Sequence, residues 1–455
     1  MKYINIFSII FIFISASVHS QINVNVKKKE FQGEKEGFKE AWKHVSRADS
    51  YYKDGGVWFA NALSEYQQAN IYNPGNAELN YKIGVSCLFS DKKDEASDFL
   101  IRAFELKNDV AGDISFLTGR ALIYKGKFRE ANEKFNNYLS SPEKKSQQRI
   151  SLVNKYIGEC DSALVVSSDS INIEINNIGG NINSSADDYS EILFSGGKKM
   201  LFASRRALKA NAKNYYEDTK FDENIFAADY VNGAWNVAIL FDKNLTTTLC
   251  ETPLYMNRTE TALYIYAGYE GGGNIKVSEL KKTEWKSPVP ESFGINSPAT
   301  ETSISFSPSG KEIVFVSNRK KVGLGGKDVY IITEGNKQKW SKPSNLGPAV
   351  NTKFDEESVM FSSGGDTLWF SSRGHNTMGG FDIFYSTRRK DGTWNAAVNA
   401  GYPLNSQWDE LFYCPIPGDD NSFLFVSNRT GGLGGLDIYS GRWNTQLADT
   451  VVVKD

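Results

Sequence analysis

The chain has 455 residues, of which 13% are aromatic and 40% hydrophobic, and its 52 basic side chains nearly balance its 54 acidic ones. At roughly 150 residues per domain, this length allows two or three domains with cores of their own, and the aromatic content excludes a disordered chain. A formal net charge of −2 excludes a general attraction to nucleic acid or to an anionic membrane, so we expect a partner to be recognised by shape and local chemistry.

Residues 1–20 have the pattern of a secretory signal peptide. Lys2 precedes an apolar run that is unbroken over Ile9–Ile14, and small or polar residues follow up to Ser20. The run is shorter than the roughly 20 apolar residues of a membrane-spanning helix. We therefore expect cleavage before Gln21 and export of a mature chain with no transmembrane segment. Because no cysteine lies near the cleavage point, we expect no lipid anchor.

The cysteines lie far apart in the sequence, at Cys87, Cys160, Cys250 and Cys414. No CxxC pair is available for zinc binding or redox chemistry, so we predict no metal and no cofactor. We expect buried thiols that act as small apolar side chains, although an export compartment also permits disulfides.

Residues 36–165 are predicted to be helical, since apolar side chains recur three or four positions apart and proline is rare. A triplet of small, large and small or aromatic residues recurs at intervals of 34 and 35 positions. Its copies are Ala62–Tyr66–Ala69, Ala96–Leu100–Ala103 and Ala131–Phe135–Tyr138. In the helices that precede these triplets, Gly84 and Gly119 are separated by the same interval. This order resembles the tetratricopeptide repeat, in which small residues let paired helices approach closely.

The helical repeats predict a short α-solenoid with a concave groove. We expect residues 21–35 to form an N-terminal extension and residues 145–163 to form a capping helix. On the repeat alignment, Tyr81, Phe116 and Arg120 would face the groove and contact a partner. Ordinary packing between helices accounts equally well for Tyr81 and Phe116.

Residues 168–445 change to β-branched and aromatic runs separated by Gly, Asn, Ser and Asp, which predicts strands. A tryptophan recurs at intervals of roughly 50 residues, and two hairpin-forming runs precede each copy. The copies are Trp235, Trp285, Trp340, Trp394 and Trp443. Four short strands in each of five units predict a five-bladed β-propeller. The first two units are degenerate, which leaves a six-bladed propeller as the alternative.

A propeller must seal its last blade with a strand from the other end of the chain, because an open blade leaves an unpaired edge. Residues 171–183, INIEINNIGGNIN, resemble residues 344–351, SNLGPAVN, which follow the tryptophan of a later unit. We therefore predict that the early segment is the outer strand of the blade that ends near Trp443. The alternative is TVVV at 450–453, within a predicted C-terminal tail at 446–455.

Three units carry a glycine-rich loop between an arginine and an aspartate. The residues are Arg319 and Asp328, Arg373 and Asp382, and Arg429 and Asp437. We predict an arginine–carboxylate pair that locks each hairpin, with glycine supplying positive φ. In the alternative, these polar groups form a ring on one rim that recognises a ligand. No phosphate-binding loop is expected, since the motif GxxxxGK[ST] is absent.

The sequence predicts no catalytic site. His44 and His375 lie in different domains, so neither a hydrolase triad nor a zinc site is expected. Glycosidase chemistry would need an acid pair roughly 5 to 10 Å apart. The candidate acids, near the starts of innermost strands, are Asp187, Asp188, Glu191, Glu251, Glu301, Asp355, Glu356, Glu357, Asp409 and Glu410. Because acids recur at equivalent places in several units, we predict that they hold the blades together.

Helical repeats followed by an FSPSG turn and GLGGxD hairpins resemble envelope proteins of Bacteroidota-type bacteria. In that family, which includes the peptidoglycan-associated component of the type IX secretion system, tetratricopeptide repeats precede a WD40-like (PD40) propeller. The resemblance covers residues 36–445 and implies a periplasmic accessory protein associated with the outer membrane. Its partners would be envelope proteins, for example an outer-membrane β-barrel of the secretion or adhesin-tethering type. This chain stops before the OmpA-like domain of fuller members, so we do not expect peptidoglycan binding.

The sequence as a whole predicts a non-enzymatic scaffold with a helical groove and a propeller rim as binding surfaces. Such preformed surfaces lose little entropy on binding. Two alternatives remain open. A carbohydrate-active propeller would show two nonrepeated carboxylates facing each other in a deep channel, and a ligand-binding propeller would show a discrete pocket on one rim.

Overall fold

The structure is a computed structural model that describes residues 22–142, 145–209, 220–246, 250–268, 273–336 and 339–444. The chain divides into a helical unit that ends at Val165 and a β unit that begins at Val166. The predicted signal peptide and the predicted C-terminal tail lie outside the described residues. Within the described ranges, no helix combines the length and the apolar character of a membrane span.

Eight α-helices lie in the part of the chain that the structure describes. Their bounds are α1 Lys28–Phe31, α2 Phe38–Asp54, α3 Phe59–Tyr72, α4 Ala77–Leu88, α5 Ala96–Leu106, α6 Ile114–Tyr124, α7 Phe128–Ser140 and α8 Gln147–Ser168. The closest helix contacts join α2 to α3, α4 to α5 and α6 to α7, which makes three consecutive pairs. The predicted capping helix corresponds to α8.

The repeated glycines lie where the helices of a pair touch. A Cβ atom on Gly84 would lie 2.5 Å from Cγ of Leu100, and one on Gly119 would lie 2.7 Å from Cε1 of Phe135. A larger residue at either place would push the paired helix away, because interiors are close-packed. The predicted close approach of the paired helices is confirmed at these two glycines.

The β unit consists of five antiparallel sheets, or blades. Blade 1 contains β2 Asp188–Phe194, β3 Lys199–Ser204, β4 Asn224–Val231, β5 Ala234–Trp235 and β6 Ile239–Leu240. Blade 2 contains β7 Glu251–Met256, β8 Ala262–Ala267, β9 Asn274–Lys281, β10 Glu284–Trp285 and β11 Val289–Pro290. Blade 3 contains β12 Glu301–Phe306, β13 Glu312–Ser317, β14 Asp328–Thr333 and β15 Ser344–Asn345.

The last two blades follow the same pattern. Blade 4 contains β16 Glu356–Phe361, β17 Thr367–Ser372, β18 Asp382–Thr387 and β19 Val398–Asn399. Blade 5 contains β20 Glu410–Ile416, β21 Asp419–Ser427, β22 Asp437–Trp443 and, from the start of the unit, β1 Ile173–Asn177. The first strands of the blades, β2, β7, β12, β16 and β20, contact one another in a closed ring. The unit is therefore a five-bladed β-propeller, as predicted.

The predicted closing strand is confirmed. Strand β1 pairs antiparallel with β22, with Ile173 opposite Trp443 and Asn177 opposite Tyr439. The alternative, residues 450–453, lies outside the described residues. The structure also explains why residues 171–183 resemble residues 344–351. Each segment ends in an asparagine that bonds to the third strand of its blade.

In blade 5, this asparagine is Asn183, which accepts the N–H of Ile438 at 2.9 Å and donates to its carbonyl at 2.8 Å. The same pair of bonds joins Asn351 to Val329 in blade 3. A side-chain amide that pairs with both backbone groups of one residue acts as an extra strand position.

All four cysteines are buried thiols, as expected. Burial raises the pKa of the Cys87 thiol to about 12, which keeps this side chain uncharged at neutral pH.

Candidate functional site

A buried carboxylate begins the innermost strand of every blade. These acids are Asp188, Glu251, Glu301, Glu356 and Glu410. In blade 3, Oε1 of Glu301 accepts the hydroxyls of Ser297 at 2.7 Å and Ser317 at 2.8 Å, and Nη2 of Arg319 lies 3.0 Å away. The same set of bonds surrounds Glu410. Glu301 and Glu410 thus each join a loop, the second strand and a cation, which agrees with the predicted role in building blades.

The arginines of the glycine-rich loops pair with different acids from those predicted. The pairs are Arg319–Glu301 at 3.0 Å, Arg373–Asp409 at 3.1 Å and Arg429–Glu410 at 3.1 Å. The predicted partners of Arg319 and Arg429, Asp328 and Asp437, were therefore wrong. Each of these two guanidiniums contacts the acid that begins the first strand of its own blade, 18 or 19 positions earlier in the sequence. Reasoning from the hairpin alone could not include that acid.

The loop aspartates cap the glycine-rich loops instead. Oδ2 of Asp328 accepts the N–H of Leu324 at 2.9 Å, and Oδ2 of Asp382 accepts the N–H of Met378 at 3.0 Å. Asp437 accepts the N–H of Leu433 in the same way. Burial raises the pKa of Asp328 and of Asp437, while these backbone bonds favour the charged form. The caps fix the course of each loop.

The paired glycines of these loops face the next blade. A Cβ atom on Gly326 would lie 2.0 Å from Oδ1 of Asp355, and that oxygen accepts the N–H of Lys327 at 2.9 Å. The equivalent bonds join Phe381 N–H to Asp409 at 2.9 Å and Leu436 N–H to Asp187 at 3.1 Å. The GGxD part of the motif is therefore a seam between blades, and only glycine leaves room for it.

Two of the candidate acids, Glu191 and Glu357, have no equivalent in the other blades. Oε2 of Glu357 accepts the Thr302 hydroxyl at 2.7 Å, and its other oxygen contacts the ammonium of Lys327. Both oxygens are satisfied by groups from blade 3, so this acid also joins two blades. Sequence reasoning missed Thr302 and Lys327, because both contact Glu357 across the boundary between two blades.

Glu191 is a buried acid on β2 whose two carboxylate oxygens have no hydrogen-bond partner in the described structure. Burial raises its pKa well above the ordinary value, which favours the protonated form of the side chain. Strand registers place apolar or aromatic residues at the equivalent positions, namely Leu254, Ile304, Val359 and Tyr413. Glu191 thus occupies a position that the other blades use for packing.

Blade 4 has a histidine where its neighbours have an arginine. Nε2 of His375 lies 2.9 Å from the carbonyl of Val350, the place where Nη2 of Arg319 contacts the carbonyl of Ile295 in blade 3. The His375 ring packs 5.1 Å from Phe384, as the guanidinium of Arg319 packs on Tyr330. His375 lies in the glycine-rich loop of blade 4, with φ of 51°.

The imidazole is shorter than an arginine, and it changes the state of the acid in blade 4. Among the described residues, Glu356 has hydrogen bonds to Thr352 and Ser372 but no ion pair. Burial raises the pKa of Glu356 to about 8. This acid is therefore largely protonated at neutral pH.

The three groove residues predicted in the helical unit do not form an open surface. Tyr81 and Phe116 are buried, and the Phe116 ring lies 5.5 Å from Tyr138 and 6.0 Å from Tyr156. The prediction of partner contact is wrong for Phe116, because helix packing covers it. Arg120 is half-buried, with its guanidinium 5.6 Å from the Tyr156 ring.

Tyr81 does contact an extended segment, but the segment belongs to this chain. Its hydroxyl lies 3.1 Å from the carbonyl of Ile22 and 2.7 Å from Oδ1 of Asp113. The repeat alignment gave no signal for Asp113, which directly precedes α6. The alternation of Ile, Asn and Val in residues 22–26 was a signal for extended structure.

The tips of two glycine-rich loops expose apolar side chains, which we call the rim surface: Val322, Leu324 and Leu433. Their exposed fractions are 56%, 48% and 52%. Lys320 and Lys321 are exposed beside the first two. Because the capped loops are held by hydrogen bonds, these side chains are presented on a fixed backbone.

Within the described ranges, no group of three or more His, Cys, Asp or Glu side chains is arranged to hold a metal ion. No protein-family model and no curated protein matches the chain.

Several solved structures are similar to this chain. A TolB-like protein from Agrobacterium tumefaciens is 15% identical with a TM-score of 0.35, covering 60% of this chain and 91% of that one. RS223 β-xylosidase is 11% identical with a TM-score of 0.37, covering 59% and 94%. β-1,2-Mannobiose phosphorylase from Listeria innocua is 8% identical with a TM-score of 0.38, covering 61% and 98%. These similarities assign no activity.

Proposed function

We propose that this chain is a non-enzymatic scaffold that binds a protein partner through the rim surface. One observation carries the proposal. The recurring acids and loop aspartates are engaged in bonds within and between blades, whereas Leu324 and Leu433 are exposed on the loops that these bonds hold. Exposed apolar side chains on a preordered backbone are typical of a protein-binding surface.

The partner has an apolar patch for the rim leucines and acidic groups for Lys320 and Lys321. In this proposal, the three helix pairs are a short tetratricopeptide array, which the close glycine contacts support. The family resemblance supports a periplasmic location and an envelope partner, for example an outer-membrane β-barrel. The pattern of residues 1–20 supports export.

Photo-crosslinking in the envelope of a bacterium that expresses the chain tests this proposal. A photoreactive residue replaces Leu324, and a matched control replaces Val289, which is exposed to a similar extent on β11. We expect the same envelope protein to be cross-linked in every replicate at position 324 and not at position 289. The double variant L324D/L433D should lose this partner in affinity purification, while V289D keeps it. Equal cross-linking at both positions, or recovery of the chain alone, would contradict the proposal.

One observation favours a carbohydrate-active enzyme as a second candidate. Glu191 is a singular buried acid whose two carboxylate oxygens have no hydrogen-bond partner in the described structure, and burial raises its pKa, which is the direction that a general acid needs. The test is hydrolysis of nitrophenyl glycosides by the wild-type chain and by E191Q. The scaffold proposal expects no release of nitrophenol above background from either protein. Release that E191Q abolishes would favour the enzyme.

A further inference from the structure

Residues 22–26 form an extended segment against the helical unit. Val24 is half-buried and Val26 is buried, whereas Asn23 and Asn25 are exposed. A period of two is the pattern of an extended chain with one edge against a surface.

Two buried side chains hold the main chain of Ile22. Oδ2 of Asp113 accepts the Ile22 N–H at 3.1 Å, and the Tyr81 hydroxyl lies 3.1 Å from the Ile22 carbonyl. The same hydroxyl lies 2.7 Å from Oδ1 of Asp113, which orients both groups. Both of these hydrogen bonds to Ile22 use its backbone atoms, and the residue is 45% exposed. The site therefore recognises an extended main chain at this position rather than a particular side chain.

Asp113 is a buried acceptor that requires a hydrogen-bond donor at the position of the Ile22 N–H. The residue is 3% exposed, and burial raises its pKa, while the Ile22 N–H and the Tyr81 hydroxyl act in the opposite direction. A buried acceptor that loses its donor carries a desolvation penalty. When the segment leaves, another backbone N–H relieves that penalty best.

The other end of the segment is tethered independently. Phe31 is fully buried, with its ring 5.4 Å from Tyr72 and 5.9 Å from Trp42. Asn73 donates to the Phe31 carbonyl at 2.8 Å. The tether keeps residues 22–26 at a high local concentration even when they are detached.

We propose that Tyr81 and Asp113 form a main-chain clamp for an extended peptide, and that residues 22–26 occupy it until a partner's segment displaces them. The ligand class is an extended peptide with a β-branched residue four positions after the clamped one, as Val26 follows Ile22. The inference rests on the proposed scaffold function and names a second contact of the partner.

The test uses the full chain, a full chain with residues 22–26 deleted, and a fluorescent peptide of sequence QINVNVK that is acetylated and amidated. We expect the peptide to bind the deletion variant at least about tenfold more tightly than the wild-type chain, since the tethered segment competes only in the latter. In the deletion variant, Y81F should weaken binding by about 3- to 10-fold, the value of one hydrogen bond. Y51F is the matched control, because Tyr51 stacks on Trp58 instead.

The full-length variant V26D provides a second measurement that does not shorten the chain. A charge at this buried position should release the segment and raise peptide affinity, whereas N25D at the exposed neighbour should not. Equal binding to wild type and deletion variant, or no binding to a deletion variant whose thermal transition is intact, would overturn the clamp. Neither result affects cross-linking at position 324, so the rim proposal fails or stands separately.

Discussion

Blades 3 and 4 place different side chains, Arg319 and His375, over the equivalent aromatic residue. Arg319 stands between two aromatic rings and neutralises the buried Glu301, while His375 fills the corresponding place in blade 4 and leaves Glu356 without an ion pair among the described residues. The comparison shows that the blade needs a flat hydrogen-bonding group over the aromatic residue. The cation itself is needed only where the acid is ionised.

The largest expected effect is the loss of the cation in blade 3. R319A leaves Glu301 buried without its cation, which should lower the free energy of unfolding by about 3–5 kcal/mol. H375A removes one hydrogen bond from a neutral ring and should cost only about 0.5–1.5 kcal/mol. Denaturant unfolding monitored by tryptophan fluorescence measures both. Similar losses in the two variants would break the comparison.

The protonated acid of blade 4 should make stability depend on pH. The folded-state pKa of Glu356, about 8, lies above the ordinary value of 4.5, so the native state holds this proton more tightly than the unfolded state. The contribution of Glu356 is fully present below pH 4.5 and is lost as the pH rises toward 8, at up to about 1.4 kcal/mol per pH unit.

Gln variants sharpen this second prediction, because glutamine mimics the protonated acid. E356Q should make the free energy of unfolding less dependent on pH between 5 and 8. E301Q is the matched control in blade 3, where burial also raises the pKa of the acid but Ser297, Ser317 and Arg319 favour its charged form. Because E301Q removes the ion pair with Arg319, it should destabilise the protein at pH 8. Identical pH profiles for E356Q and wild type would contradict the raised pKa.

A smaller effect is expected in blade 1, where Glu191 stands in an otherwise apolar column. E191L places there the residue that blade 2 has at Leu254, and it removes two unsatisfied buried oxygens. We expect stabilisation by about 1–3 kcal/mol at pH 7, measured as a rise in the denaturant midpoint. Destabilisation by E191L would mean that the acid has a partner in solution.

The sequence predicted the repeated elements, but it did not predict which side chains pair within them. The blade count and the closing strand followed from repeated tryptophans and from the segment around Asn183, since each copy performs the same task. The pairing of Arg319 with Glu301 was missed, because the two lie on different strands and only the fold brings them together. The replacement of arginine by His375 was not visible in the aligned loops, because Arg373 was aligned with Arg319, and only the structure shows which side chain reaches the carbonyl of Val350.

In the helical unit, too, repeated residues could be predicted from the sequence and contacts between distant segments could not. Gly84 and Gly119 were identified from spacing, because a close helix approach demands a small residue at each repeat. The contact of Tyr81 with Ile22 joins residues from outside and inside the repeats, so no periodic pattern contains it. Asp113 has Glu78 as its counterpart in the repeat, but Glu78 bonds to Lys107 instead of to an extended segment, so the periodic pattern does not indicate the site.

The strand that completes blade 5 has a consequence for biosynthesis. Strand β1 leaves the ribosome before any other strand of the propeller, yet its partner β22 is the last to emerge. Until then, β1 has an open edge that other nascent chains can join. Blades 1 to 4 can therefore pair in order of translation while β1 waits for β22, and a chaperone that shields Ile173–Asn177 would protect the protein during this interval.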